Sequence, residues 1–67
     1  MHTAYLLAYT SPSGAITHRI ASEATPTIDL RRVRDLSVVT QRSAPTFDAA
    51  RAAILEWARV RRITVTP

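Results

Sequence analysis

The chain has no cysteine, no lysine and no asparagine, and its only glycine is Gly14. The absence of thiols excludes disulfide bonds and cysteine-based zinc sites, and it is typical of proteins from a reducing compartment. A single glycine cannot form the glycine-rich loops that hold nucleotide phosphates. His2 and His18 are far apart in the chain and have no clustered carboxylates beside them, so no metal ion and no cofactor are expected.

The sequence also lacks the residue pattern of a catalytic centre. Nucleophilic catalysis requires a base beside the nucleophile and a third group that orients the base. His18 falls in a predicted strand, and no glycine-containing elbow presents a serine next to it. The carboxylates Asp29 and Asp35 flank a run of arginines, which predicts surface ion pairs. We therefore expect no catalytic residue and a protein that is not an enzyme.

Long hydrophobic runs are absent as well. The apolar segment Tyr5–Tyr9 is far shorter than the ~20 residues that span a bilayer, and no basic n-region precedes it as in a secretory signal. The 67 residues are 46% hydrophobic, which predicts one small folded domain rather than a disordered tail. We expect a cytoplasmic protein that does not enter membranes. Because so small a core gives marginal stability, self-association into a homodimer is a further expectation.

All nine basic residues are arginine, and with five acidic residues the formal charge is +4 and the pI is near 11.2. Two explanations remain open. A GC-rich genome, such as an actinobacterial or phage genome, depletes lysine and asparagine together because both use A-rich codons. Alternatively, arginine is retained because its planar guanidinium binds phosphates and carboxylates through two hydrogen bonds.

Residues 4–21 have the pattern of a β-hairpin. Two strand-like segments flank Ser11-Pro12-Ser13-Gly14, in which proline sets φ for a turn and glycine can take a positive φ. A register with Thr10 opposite Ala15 places the larger apolar residues on one face. That predicted core face contains Tyr5, Leu7, Tyr9, Ile16 and Ile20. With the tyrosines in the core, no platform for stacking single-stranded bases is expected.

The rest of the chain adds one strand and one helix. Residues 22–35 form a basic connection, in which 28–35 is either a short helix or a loop, and the β-branched segment 36–42 predicts a third strand. Thr46 is a suitable N-cap for an amphipathic helix over 47–61, and residues 63–66 can add a short fourth strand. The predicted fold class is α+β: a small two-layer domain in which an antiparallel sheet of three strands, or four, carries one C-terminal helix on one face.

The arginine clusters support a first functional hypothesis, a nucleic-acid-associated accessory or regulatory protein. One cluster lies in the basic connection, and the other lies at the C-terminal end of the predicted helix, where cations also stabilise the helix dipole. Guanidinium groups in such clusters neutralise phosphates regardless of base sequence. The predicted contact residues are Arg31, Arg32, Arg34, Arg42, Arg59, Arg61 and Arg62.

A second hypothesis is a protein-interaction module, such as a small inhibitor, an antitoxin-like protein or a phage-encoded modulator. One helix covers one face of the predicted sheet, and the other face is more apolar than a solvated surface requires. A partner protein or a second copy could cover that face or pair along an edge strand. The predicted interface residues are Leu6, Ala8, Thr17, Arg19 and Val39. The two hypotheses are compatible, and no small-molecule substrate is expected.

Overall fold

The computed structural model describes residues 1–22 and 34–66. Strand β1 (His2–Thr10) is followed by β2 (Ile16–Ala21), β3 (Arg34–Ala44), helix α1 (Phe47–Val60) and the short strand β4 (Val65–Thr66). These elements confirm the predicted α+β class, with one C-terminal helix against a sheet that includes the fourth strand. The predicted connection 22–35 lies largely outside the described residues, and β3 is longer at both ends than the predicted segment 36–42.

The four strands form one mixed sheet in the order β3-β1-β2-β4. β1 is antiparallel to both of its neighbours, whereas β4 is parallel to β2 through the pairs His18–Val65 and Arg19–Thr66. The chain path sets this direction, because α1 leaves the end of β3 and runs back along it. The chain reverses again after α1, so β4 runs in the direction of β2. The sheet was predicted to be antiparallel throughout, and this last strand is the exception.

The hairpin turn has the predicted chemistry but not the predicted register. The Gly14 amide donates to the Ser11 carbonyl at 2.9 Å, and Gly14 takes a φ of 87°, which glycine adopts without strain. The Ser11 amide donates to the Ala15 carbonyl at 2.9 Å, so Ala15 closes the turn instead of pairing with β1. Thr10 consequently lies opposite Ile16. The predicted pairing of Thr10 with Ala15 is wrong by one residue.

The helix packs on the face of β1 that was predicted to be uncovered. Ala4 and Leu6 are fully buried together with Ala50 and Ile54 of α1. Directly opposite residues of antiparallel strands share a face, so Ile20, which pairs with Leu6, belongs to this core as predicted. Tyr5, Leu7 and Tyr9 alternate with Ala4 and Leu6 and therefore lie on the opposite face.

Side-chain size explains why α1 selects this face. Ala4 on the strand and Ala50 on the helix are small, so the two backbones can approach closely, and Leu6 and Ile54 fill the space beside them. Two tyrosines at the same positions would hold the helix further away. Ile16, also predicted in the core, is 75% exposed because it is the first residue of β2 after the hairpin turn and lies away from the core cluster.

The helix begins as predicted. Thr46 has extended backbone angles, and its Oγ1 accepts a hydrogen bond from the Ala49 amide at 3.1 Å. Asp48 lies in the first turn, where a carboxylate interacts favourably with the helix dipole. Ala50, Ile54 and Ala58 form the buried stripe. The structure ends α1 at Val60, and Arg61 is its C-cap.

Strand β3 is an edge strand of the sheet with two irregularities. Leu6 pairs with Thr40 and Leu7 pairs with Val38, so Val39 is an extra residue in the ladder with β1. A second shift lies between Ala8 and Thr10 of β1. Bulges of this kind twist an edge strand and disfavour pairing with a strand from another molecule.

Candidate nucleic-acid interface

The Arg59 guanidinium is held by Glu56, three residues earlier on α1. Its Nε donates to Glu56 Oε2 at 2.9 Å, and its Nη2 donates to Glu56 Oε1 at 2.6 Å. These hydrogen bonds lower the pKa of the Glu56 carboxyl and raise the pKa of Arg59. Both side chains are largely exposed, so the pair contributes little to stability. Its main effect is to fix the direction in which the guanidinium points.

The Arg61 side chain lies over the indole of Trp57. Its guanidinium carbon is 4.1 Å from the centre of the Trp57 ring, which is within cation–π distance. Its Nη1 also donates to the Trp57 carbonyl at 3.2 Å. Trp57 is half-buried against the core, whereas Arg61 remains exposed. The two contacts order an exposed guanidinium before any ligand binds.

Arg62 occupies a backbone position that usually belongs to glycine. The Ile63 amide donates to the Ala58 carbonyl at 2.9 Å, and the Arg62 amide donates to the Arg59 carbonyl at 3.1 Å. This pair of bonds is the Schellman motif, in which the residue after the C-cap takes the left-handed conformation. Arg62 has a φ of 58° accordingly. Its exposed side chain extends from the point where the chain leaves the helix.

Arg34 lies towards the same end of the sheet as these three residues. It is exposed at the start of β3, opposite Thr10, the residue at which β1 enters the hairpin turn. α1 begins at the far end of β3 and runs back towards this turn for ~21 Å, given a rise of 1.5 Å per residue. We call this region the turn end. Its arginines are Arg34, Arg59, Arg61 and Arg62.

The other predicted contact arginines do not join the turn end. Arg42 pairs with Ala4 near the far end of β3. Its Nη1 donates to Thr40 Oγ1 at 2.8 Å and to the Gln41 carbonyl at 2.7 Å, which holds the guanidinium along its own strand. Arg31 and Arg32 lie outside the described residues. Four of the seven predicted residues therefore lie towards one end of the sheet, Arg34 on the edge strand β3 and the other three where the chain passes from α1 towards β4.

The five residues predicted as a protein interface do not share one face. Leu6 is 0% exposed beneath α1, and Ala8, on the same face, is half-buried. Thr17 and Arg19 pair with Tyr9 and Leu7 and lie on the opposite face. The placement of Leu6 and Ala8 on an uncovered face is wrong, because α1 packs on the small residues of β1. The fifth residue, Val39, is an exposed bulge residue of the edge strand.

Two aromatic residues that were predicted in the core lie on the face opposite the helix. Tyr5 pairs with Gln41 and Ala21, and Tyr9 pairs with Thr17. Both tyrosines are half-buried. Their spacing of four residues on a strand shows from sequence that they share a face, but not which face the helix covers. The prediction that the helix covers the tyrosine face is wrong, whereas Leu7, between the two tyrosines, is fully buried as predicted.

Neither a metal centre nor a membrane-spanning helix is found in the described parts of the chain. Within residues 1–22 and 34–66, no three His, Cys, Asp or Glu side chains lie close enough together to hold a metal ion. In the same ranges no helix is long and apolar enough to cross a membrane. The described carboxylates are instead dispersed, with Asp48 and Glu56 on α1 and Asp35 at the start of β3.

Comparison with known proteins adds no relative to these observations. A scan against protein-family models and searches of curated proteins and of solved structures all return no match.

Proposed function

We propose that this protein binds nucleic acid, without catalysis, through phosphate contacts made by the arginines of the turn end. The observation that carries the proposal is the arrangement at the end of α1. Arg59 is held by Glu56 and Arg61 is held by Trp57, so each of two exposed guanidinium groups near the C-terminal end of α1 has an ordered support. Ordered donors lose less conformational entropy when they bind a phosphate than freely rotating ones.

The charge balance of the described residues supports a polyanionic ligand. Seven of the nine arginines lie in the described ranges, against the carboxylates Asp35, Asp48 and Glu56. In these ranges the one ion pair joins Arg59 to Glu56, and the Arg59 side chain remains 73% exposed in it. A surface of one dominant sign attracts phosphates and raises the association rate at low ionic strength.

The left-handed backbone conformation of Arg62 also supports a functional role for its side chain. A non-glycine residue in the left-handed region costs about 1–2 kcal/mol relative to an ordinary conformation. Glycine would remove most of this strain at the end of α1. Strained positions of this kind occur preferentially at functional sites. Because the chain turns away from α1 at Arg62, the guanidinium of this residue can contact a phosphate beyond the end of the helix.

The proposal is tested by comparing Arg62→Gln with Arg51→Gln. Both arginines are exposed and both variants remove one positive charge, but Arg51 lies on α1 away from the turn end. Binding to a labelled oligonucleotide is followed by fluorescence anisotropy at several salt concentrations. Loss of one phosphate contact predicts that Arg62→Gln weakens binding by about five- to tenfold near 0.1 M salt and reduces the log–log salt slope by about one. Arg51→Gln should change neither quantity to this extent.

Two results would contradict the proposal. The wild-type protein could bind neither single-stranded nor duplex oligonucleotides even at low salt. Alternatively, the two variants could weaken binding equally, which would show a diffuse charge effect with no role for the turn end. Circular dichroism of both variants serves as the control for folding.

A protein-interaction module is the second candidate, and exposed valines of β3 favour it. Val38 and Val39 are 44% and 40% exposed at the edge of the sheet. The bulge at Val39 disfavours backbone pairing with a partner strand, so contact through the side chains is the mode that these residues support. A molecular mass that rises with protein concentration in light scattering would favour this candidate, and a constant monomer mass would count against a homodimer.

A further inference from the structure

The orientation of the Arg61 guanidinium follows from its distance to the ring of Trp57. The central carbon of the group is 4.1 Å from the ring centre. A guanidinium nitrogen aimed straight at the ring would come about 1.3 Å closer, the length of a C–N bond with partial double-bond character, and would overlap the ring. The hydrogen bond from Nη1 to the Trp57 carbonyl at 3.2 Å anchors the group beside the ring. This geometry is that of a planar guanidinium stacked on the indole.

The stack leaves one face of the guanidinium open. Arg61 is exposed, whereas Trp57 is half-buried and packs against the core. Because the indole covers the inner face, the exposed part of the group consists of its outer face and its N–H edge. Core packing holds the ring in place, so the stack presents a flat cationic surface at the C-terminal end of α1.

This surface suits a ligand that is both flat and anionic. A guanidinium plane stacks on nucleobases as it does on aromatic side chains. Arg62 is the next residue and is also exposed, with its Cα atom ~3.8 Å from that of Arg61. A nucleotide joins a flat base to a phosphate through one sugar, so it can contact the two neighbouring guanidinium groups together. A carboxylate or an isolated phosphate offers no flat ring for the outer face of Arg61.

We infer that Arg61 stacks an unpaired nucleobase on the outer face of its guanidinium, with Trp57 beneath it and Arg62 on the adjoining phosphate. The inference rests on the proposed function and specifies its substrate class, which is nucleic acid with unpaired bases. Inside a duplex each base is stacked on both sides and presents no free face, so a duplex contacts the turn end through phosphates alone. A single strand presents the faces of its bases as well.

Arg61→Lys tests the stack, because lysine keeps the positive charge but lacks the planar group. Fluorescence anisotropy is measured with a single-stranded DNA oligonucleotide and with a strand of the same length that carries abasic sites in place of its bases. We expect the wild type to bind the strand with bases about tenfold more tightly than the abasic strand. Arg61→Lys should lose most of this preference. Arg62→Lys, the matched control at the phosphate contact, should change binding to both strands by the same factor and keep the preference.

The fluorescence of Trp57 provides a second test that needs no substituted protein. Trp57 is the one tryptophan of the chain, so its emission reports directly on this site. Titration with the strand that carries bases should change the emission clearly. The abasic strand, added to saturation, should change it much less, because no base then lies above the Arg61 guanidinium.

The results that overturn the inference differ from those that overturn the proposed function. Equal affinity of the wild type for the two strands, or a preference that Arg61→Lys retains in full while folded by circular dichroism, would overturn the inference. If Arg62→Gln still weakened binding in either case, the proposed function would stand alone. Absence of binding to both strands and to a duplex at low salt would overturn both.

Discussion

Arg62 and Asp35 are the two non-glycine residues with a positive φ in the described ranges, and they differ in how that conformation is supported. Both have a φ of 58°. Aspartate tolerates the left-handed region, and its carboxylate here accepts a hydrogen bond from Thr10 Oγ1 at 3.4 Å. Arginine has no comparable preference. The strain at Arg62 is therefore the larger of the two.

Replacing Arg62 by glycine should stabilise the fold. Arg62→Gly relieves the strain in the Schellman motif and is expected to raise the free energy of unfolding by about 0.5–1 kcal/mol, or the thermal midpoint by about 2–8 °C. Arg62→Ala keeps a Cβ atom at the same φ and should leave the midpoint close to that of the wild type. Thermal unfolding followed by circular dichroism compares the three proteins. A glycine variant no more stable than the alanine variant would show that the position is not strained.

At the scale of single elements, the two faces of β1 determine the architecture. Leu6 is fully buried under α1, whereas Ile16, which the sequence pattern placed in the core, is 75% exposed. Truncating a buried leucine removes contacts and leaves a cavity. Truncating an exposed strand residue changes little beyond local strand propensity.

Leu6→Ala and Ile16→Ala should consequently lower the free energy of unfolding by very different amounts. We expect Leu6→Ala to lower the free energy of unfolding by about 2–5 kcal/mol, a large part of the stability of so small a domain. Ile16→Ala should lower it by less than about 1 kcal/mol. Urea unfolding of both variants measures the difference. Equal losses, or a larger loss for Ile16→Ala, would favour the register with Ala15 opposite Thr10 over the one in the structure.

Sequence patterns predicted those elements whose signals are local. Thr46 and the spacing of Ala50, Ile54 and Ala58 identified the helix, and Pro12 with Gly14 identified the turn. In each case neighbouring residues determine the structure without reference to the rest of the chain. The class and the helix position therefore followed from sequence alone.

The register of the hairpin and the covered face of β1 could not be predicted in this way. A connection one residue longer moves every residue of β2 relative to β1, and no local signal distinguishes the two lengths here. Both faces of β1 are apolar, so alternation does not show which one the helix covers. The choice depends on the close approach of Ala4 and Ala50, which is a tertiary property.

The sequence predicted which arginines belong to the candidate site, but not the contacts that hold their side chains. Clustering in the sequence pointed to Arg59, Arg61 and Arg62, whereas their supports are the Glu56 carboxylate, the Trp57 ring and a left-handed backbone. Those supports depend on side-chain conformation. The position of Tyr5 and Tyr9 was mispredicted for another reason: the helix packs on the face of β1 that carries Ala4 and Leu6.

At the scale of the whole molecule, the packing of α1 on the sheet forms the core, and the proposed ligand contacts lie at one end of the domain. Ala4 and Leu6 of β1 are buried with Ala50 and Ile54 of α1. The chain reversals at the hairpin and after α1 place Arg34, Arg59, Arg61 and Arg62 towards the turn end. Several phosphate contacts made together give a domain of this size an affinity that one contact alone does not.

The most direct measurement is a map of backbone amide chemical shifts during titration with a short single-stranded oligonucleotide at low salt. We predict perturbations that cluster at the turn end, at Arg34, Arg59, Arg61 and Arg62. Amides on the outer surface of α1, such as those of Ala49 and Ala52, should remain unshifted. A spectrum unchanged by the oligonucleotide, or shifts confined to the outer surface of α1, would contradict the account.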